Sequence, residues 1–310
     1  MPHPSPAGAE LQATLAALHL HPVKSGGALT PASALLVETG LDLDRAWMVV
    51  DADGEMLTQR ELPRLALLSP QLKGGDLVLR APGMLALHLS LDRAEAPTRV
   101  RVWDDVVPAY EMGALAAQWI SDFLRPDLHS NLRSDPRSDP PSNSSRPLRL
   151  VRFDPEHRRL SSQRWTGAVQ AENQFTDGFP LLVTNTASLD DLNARLADRG
   201  QAPVTMARFR PNLVLVGLQA WDEDHIDTLT VSTDDGPVRL QLVKPCVRCS
   251  IPNVDPVTAA TSDEPGATLA TFRADPRMDG GLTFGINAVV LEGFGHTLRC
   301  GQAVTGSWKF

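Results

Sequence analysis

Short apolar-rich runs, each bounded by turn residues, dominate the pattern along the chain and predict strands. The first covers residues 14–21 and is stopped by Pro22. Residues 45–50 and 56–59 flank Asp51-Ala52-Asp53-Gly54, and residues 77–80 and 84–89 flank Pro82-Gly83, so two hairpins are expected. Another strand is expected at 100–103. The later runs, at 148–153, 180–184, 212–217, 228–232, 238–243, 282–291 and 301–308, continue the same pattern.

Helical spacing stands out twice. Met112, Leu115, Ala116, Trp119, Ile120 and Phe123 form one stripe of period 3.6, which Arg125-Pro126 is expected to end. Ser188-Leu189-Asp190-Asp191 puts a hydroxyl N-cap three residues before a carboxylate, with Leu189, Leu192 and Leu196 as the buried stripe and Gly200 as the stop. Strands outnumber helices and no regular βαβ series appears. The expected class is therefore mostly β (α+β), barrel-like with a few packed helices.

Residues 131–147 break this pattern. Ser, Pro, Asp, Arg and Asn fill the segment around a single Leu, which leaves too little apolar surface to offset its ordering entropy. A disordered loop is expected there, with one region at 11–130 and a second at 148–310.

Composition narrows the function classes. The 310 residues hold 29 Lys+Arg against 37 Asp+Glu, a net charge of −8, which argues against general nucleic-acid binding but not against a local basic pocket. Only 5% of residues are Phe, Trp or Tyr, too few for a base-stacking platform. Three cysteines make no disulfide framework. Residues 1–10 lack the basic and apolar regions of a secretory signal, and no run is long enough to span a membrane. A cytosolic protein without membrane partners is expected.

Lys244-Pro245-Cys246-Val247-Arg248-Cys249 is the sharpest chemical feature. A thiolate is a nucleophile and a soft metal ligand, and neighbouring cations favour it. Structural zinc needs further Cys or His ligands that are missing here, and Ser250-Ile251-Pro252 opposes a thioredoxin-like helix. A functional thiol and an inert pair at a strand end both remain open. Cys300, alone beside Gly301, is expected to pack. Lys24, Arg45, Arg208 and Arg210 lie next to turns and suit the oxygens of an anionic cofactor if they converge. His19 and His21 alternate on one strand face, where a buried or capping role is expected over a metal site. His225 belongs to an acidic loop. No GxGxxG, P-loop or GxSxG is present.

Five segments occur in order: HPVKS at 21–25, LDLDRAWMVVD at 41–51, FTDGFPLLVTNTASLDDLNARL at 175–196, RFRPNLVLVG at 208–217 and CVRCSIPNVDP at 246–256. With them the chain resembles the MOSC-domain molybdenum enzymes that carry an N-terminal MOSC β-barrel domain. That group includes the mitochondrial amidoxime-reducing component and its bacterial relatives. The resemblance runs from about residue 14 to 306.

It implies a pyranopterin molybdenum cofactor, with Cys249 at the position of the metal ligand, Cys246 as a non-ligand, and Arg248 keeping the ligand thiol deprotonated. Lys24, Ser25, Arg45, Asp177, Gly178, Phe179, Arg210 and Asn212 match positions near the cofactor. Gly178 and Phe179 stand where relatives have small hydroxyl residues, so contact there would be through backbone; Val247 stands where a Ser is found. The implied reaction reduces N-hydroxylated compounds such as amidoximes, hydroxylamines and N-hydroxylated bases. Asp255 is a candidate proton donor, although a turn cap is the plainer reading. No ferredoxin-like cysteine cluster follows, so electrons are expected from a separate ferredoxin, haem or flavin protein. The rival reading is a carrier of molybdenum cofactor or of a persulfide on Cys249.

Overall fold

The computed structural model describes residues 11–93, 95–132 and 147–309. In chain order the first half holds β1 (Leu11–Leu18), β2 (Ser33–Val37), β3 (Gly40–Leu41), β4 (Trp47–Val50), β5 (Ser69–Lys73), β6 (Asp76–Arg80), β7 (Leu87–Ser90), β8 (Pro97–Val102), β9 (Asp105–Glu111) and α1 (Ala114–Leu132). Then come β10 (Arg149–Phe153), α2 (Gln163–Thr166), β11 (Leu181–Asn185), α3 (Thr186–Asp198) and β12 (Leu213–Val216). The chain ends with β13 (Ile226–Thr233), β14 (Gly236–Val247), α4 (Gly266–Leu269), β15 (Ala274–Asp275), β16 (Gly281–Glu292), β17 (Thr297–Arg299) and β18 (Ala303–Trp308).

Seven strands close a barrel in the order β11-β12-β1-β18-β13-β14-β16, with β16 returning to β11. Only the β11–β12 pair within it is parallel. Closure removes the exposed edges that a sheet of this size would otherwise present. Alternate side chains point inward, so Leu15, Leu215, Leu229, Val231, Leu240 and Ile286 are buried together in the barrel core. The mostly-β, barrel-based class expected from the sequence is the observed one.

Strand pairing crosses the expected division at 131–147 in both directions. β1 sits in the barrel between β12 and β18, although it begins the chain. β10 follows the division yet lies between β4 and β9 in the sheet β4-β10-β9-β8. β17 pairs with β2. Of the segment expected to be disordered, residues 133–146 lie outside the described residues.

Two helices differ from expectation at their ends. α1 runs through Pro126 to Leu132 instead of stopping at Arg125. Proline removes a single hydrogen-bond donor, and tertiary ties hold the turn: Arg64 N–H donates to the Asp127 carboxylate at 2.8 Å and Arg64 Nε to the Phe123 carbonyl at 3.3 Å. Its stripe is buried at Ala116, Trp119, Ile120 and Phe123, but Leu115 is exposed. α3 starts three residues before the expected position. Asn185 caps it by accepting from Ala187 N–H, and Ser188 is buried inside the first turn, donating to Glu223. Among the described residues, no helix is long and apolar enough to cross a membrane.

Candidate active site

Three chain segments meet at one end of the barrel. The 21–25 loop leaves β1 and is fixed to the neighbouring sheet by Lys24 N–H donating to the Trp47 carbonyl at 2.7 Å. Arg45 N–H donates to the His21 carbonyl at 2.8 Å, and Phe175 N–H donates to the Arg45 carbonyl at 3.1 Å. These bonds bring Lys24, Arg45 and the 175–179 loop together, although they are far apart in sequence. Arg159 shapes that loop from beneath. Its guanidinium donates to Asn173 Oδ1 and to the carbonyls of Gln174 and Thr176, and pairs with Asp105 at 2.7 Å. No motif singled out Arg159, whose part depends wholly on tertiary contacts.

The result is a cleft of about 820 Å³, counting its open mouth. It contains Lys24, Ser25, Arg45, Asp177, Gly178, Phe179, Arg210, Asn212, Cys246 and Cys249, so the structure brings together the residues matched to the cofactor site. Five cationic side chains and one carboxylate line it among the described residues, the additional cations being Arg60 and Arg248. Sequence reading missed Arg60 and Trp103, which form part of the mouth. Trp103 had only the signature of a strand end.

The basic groups differ in how they are compensated. Lys24 Nζ donates to Asp177 Oδ1 at 2.6 Å and to the Phe175 carbonyl at 2.7 Å. Burial pulls the Lys24 ammonium below its ordinary range, and the Asp177 charge only partly restores it. For Asp177, desolvation opposes ionisation, but Lys24, the Trp103 N–H and Arg45 outweigh it and hold the carboxyl well below the usual carboxylate range. Arg45 pairs with Asp44 and donates to the Arg210 carbonyl at 2.9 Å.

Arg210 is the exception. Its Nη1 donates to the Gly26 carbonyl at 2.5 Å, but its buried Nη2 has no hydrogen-bond partner, and it forms no ion pair among the described residues. Burial, reinforced by Arg45, lowers its pKa to about 9. An unpaired buried guanidinium is costly unless something anionic joins it. Strain adds to this picture. Ser25, Arg45, Trp103 and Arg210 all take positive φ, between 52° and 63°, and all line the cleft. Non-glycine residues in that region are uncommon and cluster at functional sites.

Both thiols are free. Cys249 is exposed, whereas Cys246 is half-buried at the end of β14, which runs four residues beyond the expected strand. Arg248 Nη1 lies 2.9 Å from Cys246 Sγ, and Nη2 donates to the Phe209 carbonyl at 2.8 Å. The expected support of Arg248 for Cys249 is thus corrected to a contact with Cys246. Residues two apart on extended chain share a face, which places these two side chains together. Lys244 turns away, over the rings of Trp165 and Phe179.

Several other expected positions have structural duties. Asn212 accepts from Leu182 N–H and donates to the His19 carbonyl, so its amide locks β11 against β1. Arg208 donates to the Pro252 carbonyl and to Asp255. Asp255 caps its turn by accepting from Val257 N–H, Thr258 N–H and the Thr258 hydroxyl. Desolvation of Asp255 is outweighed by these bonds and by Arg208, which hold it ionised and unsuited to donate a proton. His21 is buried with Nε2 on the Pro211 carbonyl, and burial followed by the Arg45 and Arg210 charges keeps it neutral. Cys300, expected to pack, is exposed near the Pro31 carbonyl. No group of three or more His, Cys, Asp or Glu side chains is placed to hold a metal ion among the described residues.

Both halves of the chain are similar to known proteins. Residues 12–127 match the MOSC N-terminal beta barrel domain and residues 170–305 the MOSC domain. Mitochondrial amidoxime-reducing component 1 of Homo sapiens is 33% identical over 85% of this chain and 73% of its own. Mitochondrial amidoxime reducing component 2 of Bos taurus is 32% identical, with the same two coverages. The crystal structure of YiiM from Geobacillus stearothermophilus aligns over 42% of this chain and 55% of its own, at 18% identity and a TM-score of 0.27. Two matched domains and relatives of this identity and coverage establish that the chain belongs to the MOSC-domain family, in the group with a MOSC N-terminal beta barrel domain that includes the mitochondrial amidoxime-reducing components.

Proposed function

We propose that the protein is a molybdenum-cofactor-dependent reductase of N-hydroxylated compounds, with Cys249 as the protein ligand of the metal. The observation that carries this reading is the buried, unpartnered Nη2 of Arg210 in a cleft of five cations that opens beside an exposed thiol. The residues fit an anionic cofactor on both counts. Arg210 lacks an acceptor that a phosphate or pterin oxygen supplies. Cys249 offers one exposed soft thiol, and among the described residues no group of three or more His, Cys, Asp or Glu surrounds it, which suits a metal whose remaining ligands would come from the cofactor.

When bound, the cofactor supplies the two-electron redox chemistry. Reduction of an amidoxime consumes two electrons and two protons, breaks the N–O bond, and releases an amidine and water. The chain's own residues bind and orient. Arg210 and Arg45, which line the cleft, would hold the anionic oxygens of the cofactor. Lys24, fixed by Asp177, adds a positive charge beside them, and Asn212 keeps β11 and β1 in register beneath them. Asp177 stays ionised next to Lys24, so it positions and does not donate.

Electrons come from a separate donor protein, and the cytosol is the setting in which Cys246 and Cys249 stay reduced. The test is reduction of benzamidoxime to benzamidine by protein made in a host that synthesises molybdenum cofactor, with reduced methyl viologen as donor. Turnover in the wild type and none in Cys249→Ala is expected. Equal turnover in both contradicts the ligand assignment. Turnover with a nicotinamide alone removes the need for a separate donor, and molybdenum retained without any turnover supports the carrier role instead. Recovery of the protein in the membrane fraction on cell fractionation contradicts the cytosolic placement.

A further inference from the structure

Trp103 is unusual in three respects. It occupies the first position of the two-residue turn between β8 and β9, where Val102 pairs with Asp105, and its φ is 55°. Glycine or asparagine normally fills such a position, because a side chain there crowds the backbone. It is also 41% exposed, although indole is the largest apolar side chain. Finally, it lines the same cleft as Cys249, on the wall supplied by the β4-β10-β9-β8 sheet.

Nothing in the core demands this placement, yet the ring is held from several directions. Its Nε1 donates to Asp177 Oδ1 at 3.2 Å, the same oxygen that receives Lys24. The Arg60 guanidinium caps one face, 4.7 Å from the ring centroid. Arg159 bonds both to Asp105, at the end of the turn, and to the loop that carries Asp177. An exposed aromatic ring fixed in this way is pre-organised for a contact it does not make within the chain. Arg60 lines the same cleft, and the ring keeps 41% of its surface exposed beside it.

We infer that Trp103 is a specificity-determining residue that stacks on the planar aromatic part of the substrate at the mouth of the cleft, and that the site therefore favours aryl over small alkyl N-hydroxylated compounds. This deepens the reductase reading and rests on it. A flat conjugated substrate offers its π face to the indole, whereas an alkyl substrate of the same functional group buries little area there. Asp177 and Arg60 act as positioning residues for the ring.

The experiment compares two neutral substrates that share the reacting group. Binding of benzamidoxime and acetamidoxime to the oxidised protein is measured by calorimetry without reductant, so that no turnover intervenes. The preference for benzamidoxime, taken as the ratio of the two dissociation constants, is expected to fall about tenfold in Trp103→Ala and to recover to within about threefold of wild type in Trp103→Phe. An unchanged ratio in Trp103→Ala overturns the inference, as does a wild type that binds no benzamidoxime. Loss of molybdenum from Trp103→Ala also overturns it, because the ring would then serve the cofactor. Failure of the reductase reading is distinguishable: the wild type then shows no viologen-driven turnover, whatever the binding ratio reports.

Discussion

Glu223 offers a stability test that is independent of the cofactor. Its side chain is fully buried, with Oε2 accepting from the Ser188 hydroxyl at 2.7 Å and Oε1 without a partner. Burial raises its pKa from 4.5 to about 7. The neighbouring Asp224 adds to the rise, while the Ser188 hydrogen bond and Arg273 oppose it. Below about pH 4.5 the carboxyl is protonated in both folded and unfolded chains, and its contribution is fully present. Between 4.5 and 7 the unfolded chain ionises while the folded one stays protonated, so stability falls as pH rises. Above 7 the loss is complete, at roughly 3 kcal/mol on the scale of 1.36 kcal/mol per tenfold change in proton affinity. Glu223→Gln keeps the size and the acceptor for Ser188 but cannot ionise. Its Tm should match wild type within a degree or two at pH 4.5 and exceed it by roughly 5 °C at pH 8, for a chain of this length. Thermal melts of both proteins across that range decide the matter. A Tm difference that does not change with pH, or a variant less stable at pH 8, refutes the reasoning.

Other substitutions probe the site and its frame. Arg210→Met, in protein from a host without the cofactor pathway, should raise stability by roughly 1 kcal/mol, because an unpaired buried charge is removed at the loss of one bond to Gly26. In a cofactor-competent host the same variant should lose most of its molybdenum, as read by elemental mass spectrometry. Gly40 has φ +106°, and a Cβ there would strike the Pro180 carbonyl beside the cleft loop. Gly40→Ala should therefore cost about 2 kcal/mol or more in denaturant unfolding. Leu229, buried in the barrel core, should cost about 2–5 kcal/mol as Ala, with little effect on the cleft.

What the sequence made legible follows from how local each signal is. The hairpin at Pro82-Gly83 appears as β6 paired with β7, because turn residues and flanking apolar runs lie within a dozen positions. Residues 56–59 were harder: Val50 and Met56 form a single bridge, and the chain then leaves the sheet. Gly200 stops α3 with φ +69°, as its position suggests, whereas Ser188 was misread as the cap because its hydroxyl serves Glu223 and Trp221, which lie more than thirty residues away. β2, β5 and β9 were not foreseen: β2 is only five residues long, β5 (SPQLK) is mostly polar, and β9 carries Pro108 in its middle. At the site, residue types nominated Lys24, Arg45 and Arg210 only on condition that they converge, and the family resemblance added Cys249; the structure places all four in one cleft. The pairing of Arg248 with Cys246, the clamp by Arg159 and the exposure of Trp103 depend on tertiary geometry. No spacing in the chain encodes them.

The central claim is that Cys249 holds molybdenum in this cleft. Elemental mass spectrometry on wild type, Cys249→Ala and Cys246→Ala, all produced in a host that makes molybdenum cofactor, tests it most directly. The account predicts near-stoichiometric molybdenum in wild type and Cys246→Ala, and its loss from Cys249→Ala. Absence of molybdenum from the wild type, or its loss from Cys246→Ala but not from Cys249→Ala, would contradict it.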